Sequence, residues 1–71
     1  MEKRYHRELL SFGARLKALR KRKGLSQLDL EIESGINRTE ISRIENAQKN
    51  IEFRTLVKLA EALKIDLKEL F

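Results

Sequence analysis

The sequence predicts an all-α domain of five helices. Three observations carry that reading. Apolar residues recur at spacings of three and four over most of the chain. No stretch alternates with period two for long enough to form a strand. Helix-start residues and glycines divide the periodic stretches, and there is no proline. Residues 1–71 read as one domain, with 1–8 a charged N-terminal extension of the first helix.

Each element has its own signature. Tyr5, Leu9, Phe12, Leu16 and Leu19 describe one face of a first amphipathic helix. It should end near Lys23. Gly24 suits the left-handed residue after it, and Lys21, Arg22 and Lys23 suit the negative end of its dipole. Gly13, Gly24 and Gly35 read as the chain's punctuation. Ser26 is placed to cap a second helix that starts at Gln27, with Asp29 in its first turn. That helix must stop by Gly35. Asn37 caps a third helix, about 37–46, and Glu40 is spaced to reach back in a capping box. Residues 47–52 connect. Phe53, Leu56, Leu59, Ala60 and Leu63 mark the face of a fourth helix. Asp66-Leu67-Lys68-Glu69 opens a fifth, about one turn long.

Composition narrows the chemistry. There is no cysteine, so disulfides, thiolate metal sites and thiol nucleophiles are excluded. His6 alone cannot build a metal site, and it reads as a solvated helix residue. No Gly-rich phosphate loop is present, and so short a chain leaves little room for a sizeable pocket. The expectation is therefore a non-enzyme with no cofactor and no small-molecule ligand. No apolar run approaches the roughly 18 residues of a membrane span. The charged start has no apolar segment of signal-peptide type behind it. A cytoplasmic location follows as an expectation.

The net charge is +5, which favours a polyanionic partner. The charge is uneven. Residues 1–23 hold nine Lys and Arg against Glu2 and Glu8, a net of +7, and the remainder is −2. Solvation of the first helix is the plain alternative account of that basic run.

Two short helices joined by a tight glycine turn form the helix-turn-helix arrangement. Here it spans roughly Gln27 to Asn46. Gly35 suits a positive φ in the turn. Leu30, Ile36, Ile41 and Ile44 must point inward to set the angle between the helices. Arg38, Thr39, Ser42 and Arg43 leave a polar face that can hydrogen-bond. Arginine binds guanine O6 and N7 in a bidentate manner, and the threonine methyl meets thymine. Arg38 and Arg43 diverge by roughly 140° around a helix, so they are not expected to serve one base pair.

From Phe12 to Phe71 the chain resembles the lambda-repressor/Cro-like (XRE) helix-turn-helix family. Residues 19–27 (LRKRKGLSQ), 34–46 (SGINRTEISRIEN) and 56–63 (LVKLAEAL) carry the resemblance. It implies that the third helix enters the major groove and that a homodimer binds a near-palindromic site. It also implies roles. Gln27 would bind a DNA phosphate. Asn37, Arg38, Thr39, Ser42 and Arg43 would face base edges or flanking phosphates. Asn46 and Lys49 would hold phosphates, and Arg20 and Glu45 would form a structural ion pair. Leu67, Leu70 and Phe71, with the end of the fourth helix, are the expected dimer interface, although they also suit the core.

Some positions depart from the family pattern. Glu31 stands where Ala is usual, so it should escape to solvent or pair with an Arg. Ser34 also replaces a common Ala. Ala47 replaces a frequent Gly, which suggests Asn46 as the left-handed residue. Leu28 and Ile32 form an apolar pair on the second helix, expected either to lie under the start of the first helix or a second subunit, or to stay partly exposed with no partner.

The functional expectation is a sequence-specific transcriptional regulator bound to double-stranded DNA. It would be a controller of a neighbouring operon or an antitoxin that represses its own. A protein-interaction module on the same scaffold is the alternative, but it would not need a polar, basic third-helix face.

Overall fold

The computed structural model describes residues 2–71. Four α-helices follow one another: α1 (Glu2–Arg22), α2 (Gln27–Ser34), α3 (Arg38–Glu45) and α4 (Phe53–Leu63). The expected fifth helix is a single 3₁₀ turn, Leu67–Leu70. A turn of four residues is too short to propagate an α-helical ladder. Among the described residues there is no strand.

The helices wrap one core. Leu16 of α1, Leu30 of α2, Ile41 and Ile44 of α3, Leu59 and Leu63 of α4, and Leu70 of the terminal turn are essentially fully buried. Each contributes about 1.5–3 kcal/mol by leaving water. α3 is packed between α1 and α2, α2 also rests on α4, and the terminal turn closes over α1 and α4. Leu30, Ile36, Ile41 and Ile44 all point inward as expected.

Two expected core positions lie outside. Tyr5 and Phe53 are exposed. Tyr5 precedes the part of α1 that other elements cover. The helix is about 31 Å long at 1.5 Å per residue, against molecular extents of 34 × 23 × 21 Å, so its first turns run past the bundle. Phe53 is the first residue of α4, one turn before that helix meets the core.

Gly13 is not punctuation. It lies inside α1, where a Cβ would come within 2.6 Å of the carbonyl oxygens of Ile44 and Glu45. Its missing side chain lets α1 cross directly on the last carbonyls of α3. Gly24 and Gly35 do stop helices, at φ of 73° and 77°. After α3 the left-handed residue is Ala47, at φ 58°, and not Asn46, at φ −98°. Ala47 N–H donates to Ile44 O at 3.1 Å and Gln48 N–H to Arg43 O at 2.8 Å. That pair of bonds is the Schellman closure, and it fixes which residue must be left-handed whatever its type. Lys64 takes the same conformation after α4, at φ 57°.

Candidate nucleic-acid interface

The α2–α3 pair is defined by its caps. Asp29 N–H donates to Ser26 Oγ at 3.0 Å, and Ser26 N–H donates to Asp29 Oδ2 at 2.9 Å. This capping box starts α2. The bond from the Ser26 backbone, then that from its hydroxyl, holds the Asp29 carboxyl below its ordinary value of 3.8. Ser34 Oγ donates to Leu30 O and accepts from Ile36 N–H, so the hydroxyl where alanine was usual ties the turn together.

α3 starts on two acceptors. Asn37 Oδ1 accepts from Thr39 N–H at 2.7 Å. The second acceptor comes from α2: Glu31 Oε1 takes Arg38 N–H at 2.9 Å. Glu31, expected either to escape to solvent or to pair with an arginine, is half-buried and pairs with the backbone N–H of Arg38. The capping box expected between Asn37 and Glu40 does not form. Glu40 instead faces Lys49, with Nζ and Oε2 3.8 Å apart.

The far end of α3 is clamped from inside. Arg20 Nε and Nη2 donate to the two oxygens of Glu45 at 2.7 and 3.0 Å, and Arg20 Nη1 donates to Leu25 O. The side chains of Arg20 and Glu45 are 7% and 2% exposed. The hydrogen bond to Glu45 raises the already high pKa of Arg20, with burial opposing. The guanidinium is charged at every working pH. Among the described residues no buried side-chain nitrogen or oxygen lacks a partner, as a buried ion pair requires if it is not to destabilise the fold.

With Ile41 and Ile44 turned inward, α3 presents the opposite face. Arg38, Thr39 and Arg43 are exposed there, Ser42 is half-buried, and Asn37 and Asn46 mark the two ends. Asn46 Nδ2 donates back to Ser42 O at 2.9 Å. Lys49 is exposed in the following loop. Gln27 is half-buried at the start of α2, and its Nε2 lies 3.1 Å from Glu45 Oε1. These residues form one polar surface along α3 and beside its C-terminal end. The Glu31 bond and the Gln27–Glu45 bond are absent from the sequence reading. Each joins residues of different elements, and nothing in their spacing marks them.

The remaining expected residues lie elsewhere. Leu70 is fully buried and closes the core of its own chain, so its side chain is not offered to a partner. Leu67 is half-buried. Phe71 is 70% exposed, with its ring 5.6 Å from that of Phe12. Leu28 and Ile32 are open to solvent, and within the chain α1 does not cover them. No helix among the described residues is long and apolar enough to cross a membrane.

A helix-turn-helix family model matches residues 16–70. This chain belongs to the helix-turn-helix family. The three segments that resembled the XRE group all fall within the matched span. Among relatives, the chain is 46% identical over 56 residues to the HTH-type transcriptional repressor RghR of Bacillus subtilis, covering 78% of this chain and 42% of that protein. It thus spans less than half the length of that repressor. It is 41% identical over 63 residues to the control protein C.MunI of a Mycoplasma species, covering 87% of this chain and 85% of that one. Among solved structures it is similar to the restriction-modification controller protein C.AhdI of Aeromonas hydrophila. The TM-score is 0.92 and the identity 42%, over 94% of this chain and 97% of that one. By name, the two relatives are a transcriptional repressor and a control protein.

Proposed function

We propose that this chain is a sequence-specific transcriptional regulator that binds double-stranded DNA as a homodimer on a near-palindromic operator. The observation that carries the reading is the outward face of α3. Arg38, Thr39 and Arg43 are exposed together on a helix whose opposite face is locked into the core. α3 lies in the major groove. Thr39, Ser42 and Arg43 face base edges, and Arg38 and Asn37 face base edges or flanking phosphates. Asn46, Lys49 and Gln27 take backbone phosphates.

Similarity to C.MunI and C.AhdI over most of their lengths supports a controller of a neighbouring operon, such as one encoding restriction and modification. Such a controller acts in the cytoplasm, where its DNA lies. One module makes too few base contacts for high specificity, and two half-sites about one helical turn apart supply the rest.

Selection of duplexes from a randomised library tests this reading. A two-fold motif should emerge. Arg43→Ala and Thr39→Ala should relax it, at about 1–3 kcal/mol for the arginine. Weak, salt-sensitive binding with no enriched motif, unchanged in both variants, would transfer the assignment to a protein-interaction module.

A further inference from the structure

Glu45 has more acceptor work than its ion pair demands. Its Oε2 takes Arg20 Nε, but its Oε1 takes both Arg20 Nη2 and Gln27 Nε2. The carboxylate side chain is 2% exposed, while Gln27 is only half-buried and so reaches the surface. A glutamine amide has two faces, an accepting oxygen and a donating NH₂. A carboxylate only accepts, so it selects the face of Gln27 that it meets. With Glu45 behind it, Gln27 must turn its NH₂ toward the end of α3. One hydrogen is then held by Glu45, and the second remains for a group outside.

We infer that Glu45 is a positioning residue for DNA binding, which orients the Gln27 amide as a hydrogen-bond donor to one backbone phosphate beside the C-terminal end of α3. The inference rests on the DNA-binding reading above. A phosphate only accepts, so an unheld amide would spend part of its time with the wrong face outward. Holding it beforehand removes the ordering cost at the moment of binding. Arg20 cancels the charge of Glu45, so the device puts no net negative charge beside the phosphate. It also links register to insertion. Glu45 is the last residue of α3 and Gln27 the first of α2, so the phosphate donor is fixed with respect to the recognition helix.

The test is a double-mutant cycle on DNA binding. It uses a duplex recovered by the library selection and a random duplex of equal length, at a temperature where circular dichroism shows each variant folded. Gln27→Ala should weaken both duplexes by a similar factor, about tenfold, the scale of one hydrogen bond to a charged group. Glu45→Gln should cost about as much in the wild-type background and far less in the Gln27→Ala background. Equal costs in both backgrounds would make Glu45 structural only and overturn the inference. So would unchanged binding by Gln27→Ala.

Two measurements on wild-type protein stand if Glu45→Gln fails to fold. In nuclear magnetic resonance spectra of the free protein, one Gln27 side-chain NH₂ proton should be shifted downfield and protected from exchange. Methylphosphonate substitution should reveal one phosphate whose neutralisation weakens wild type but not Gln27→Ala. A freely exchanging Gln27 amide, or no such phosphate, sinks the inference. Its failure is distinct from failure of the DNA reading, in which wild type recovers no duplex and Arg43→Ala changes nothing.

Discussion

At the scale of single residues, the proposed recognition surface depends on two positions that never reach it. Gly13 lets α1 touch the carbonyls of Ile44 and Glu45. Two effects compete in Gly13→Ala. Alanine is the better helix former by about 1 kcal/mol, but its methyl would press on backbone, which cannot swing aside, at about 1–3 kcal/mol. Overpacking wins, because 2.6 Å is far inside van der Waals contact. Thermal denaturation of Gly13→Ala should show a lower Tm, by roughly 4–8 °C for each kcal/mol lost. Arg20 is the second position. Arg20→Ala leaves Glu45 buried and charged without its partner, which costs about 3–5 kcal/mol. A domain of this size has about 4–10 kcal/mol in total. Urea denaturation should place its midpoint far below that of wild type, and an unchanged midpoint would show that the pair is dispensable. The ion pair was expected only through family resemblance. The role of Gly13 was not legible at all, because a glycine at a helix crossing and one in a turn look alike in sequence.

At the scale of elements, the limits of sequence reading are physical. Starts were legible because capping chemistry is residue-specific: Ser26, Asp29 and Asn37 do what their side chains predict. Stops were legible only where glycine marks them. Gly24 and Gly35 were found, and the left-handed residues after α3 and α4 were not, since Ala47 and Lys64 carry no mark of that conformation. Lys64 is exposed, so Lys64→Gly loses little packing and relieves a left-handed non-glycine residue. It should stabilise the chain by about 0.5–1 kcal/mol in chemical denaturation. The start of α2 predicts a pH dependence. The Asp29 carboxyl titrates lower in the folded chain than its ordinary value of 3.8. Its stabilising contribution is therefore complete above that value and is lost as pH falls through the lowered one. Asp29→Asn should flatten this part of the acid limb of stability, and an acid limb identical to wild type would show that the cap is not its source. Glu31 was legible as an anomaly but not as a cap, because its partner is a backbone N–H in the next helix.

At the scale of the whole molecule, the fold class and the order of helices followed from periodicity. The course of the outer surface did not. Tyr5 and Phe53 carry helical spacing but lie beyond the elements that would cover them. Leu70 proves to be core, so the proposed dimer must rest on Phe71 and Leu67 with the neighbouring face of α4. Phe71→Ala should shift sedimentation equilibrium toward monomer. It should weaken binding to a two-half-site duplex much more than to a single half-site. Monomer in both proteins would remove the dimer from the proposal.

The two ends of α3 are anchored by unlike means, and this bears on how the helix frays. Its C-terminal end is shut against α1 through Gly13 and held by a buried ion pair. Its N-terminal end is held by Asn37 and Glu31, through bonds at the exposed surface. Local opening of α3 should therefore begin at Arg38 and Thr39. Hydrogen exchange at those amides would report small fluctuations, and exchange in the last turn would report global unfolding. In the proposed DNA complex, Thr39 at the fraying end would have local freedom to adjust to a base edge, whereas Arg43, in the last turn of α3, would be held at a fixed angle until the whole domain opens.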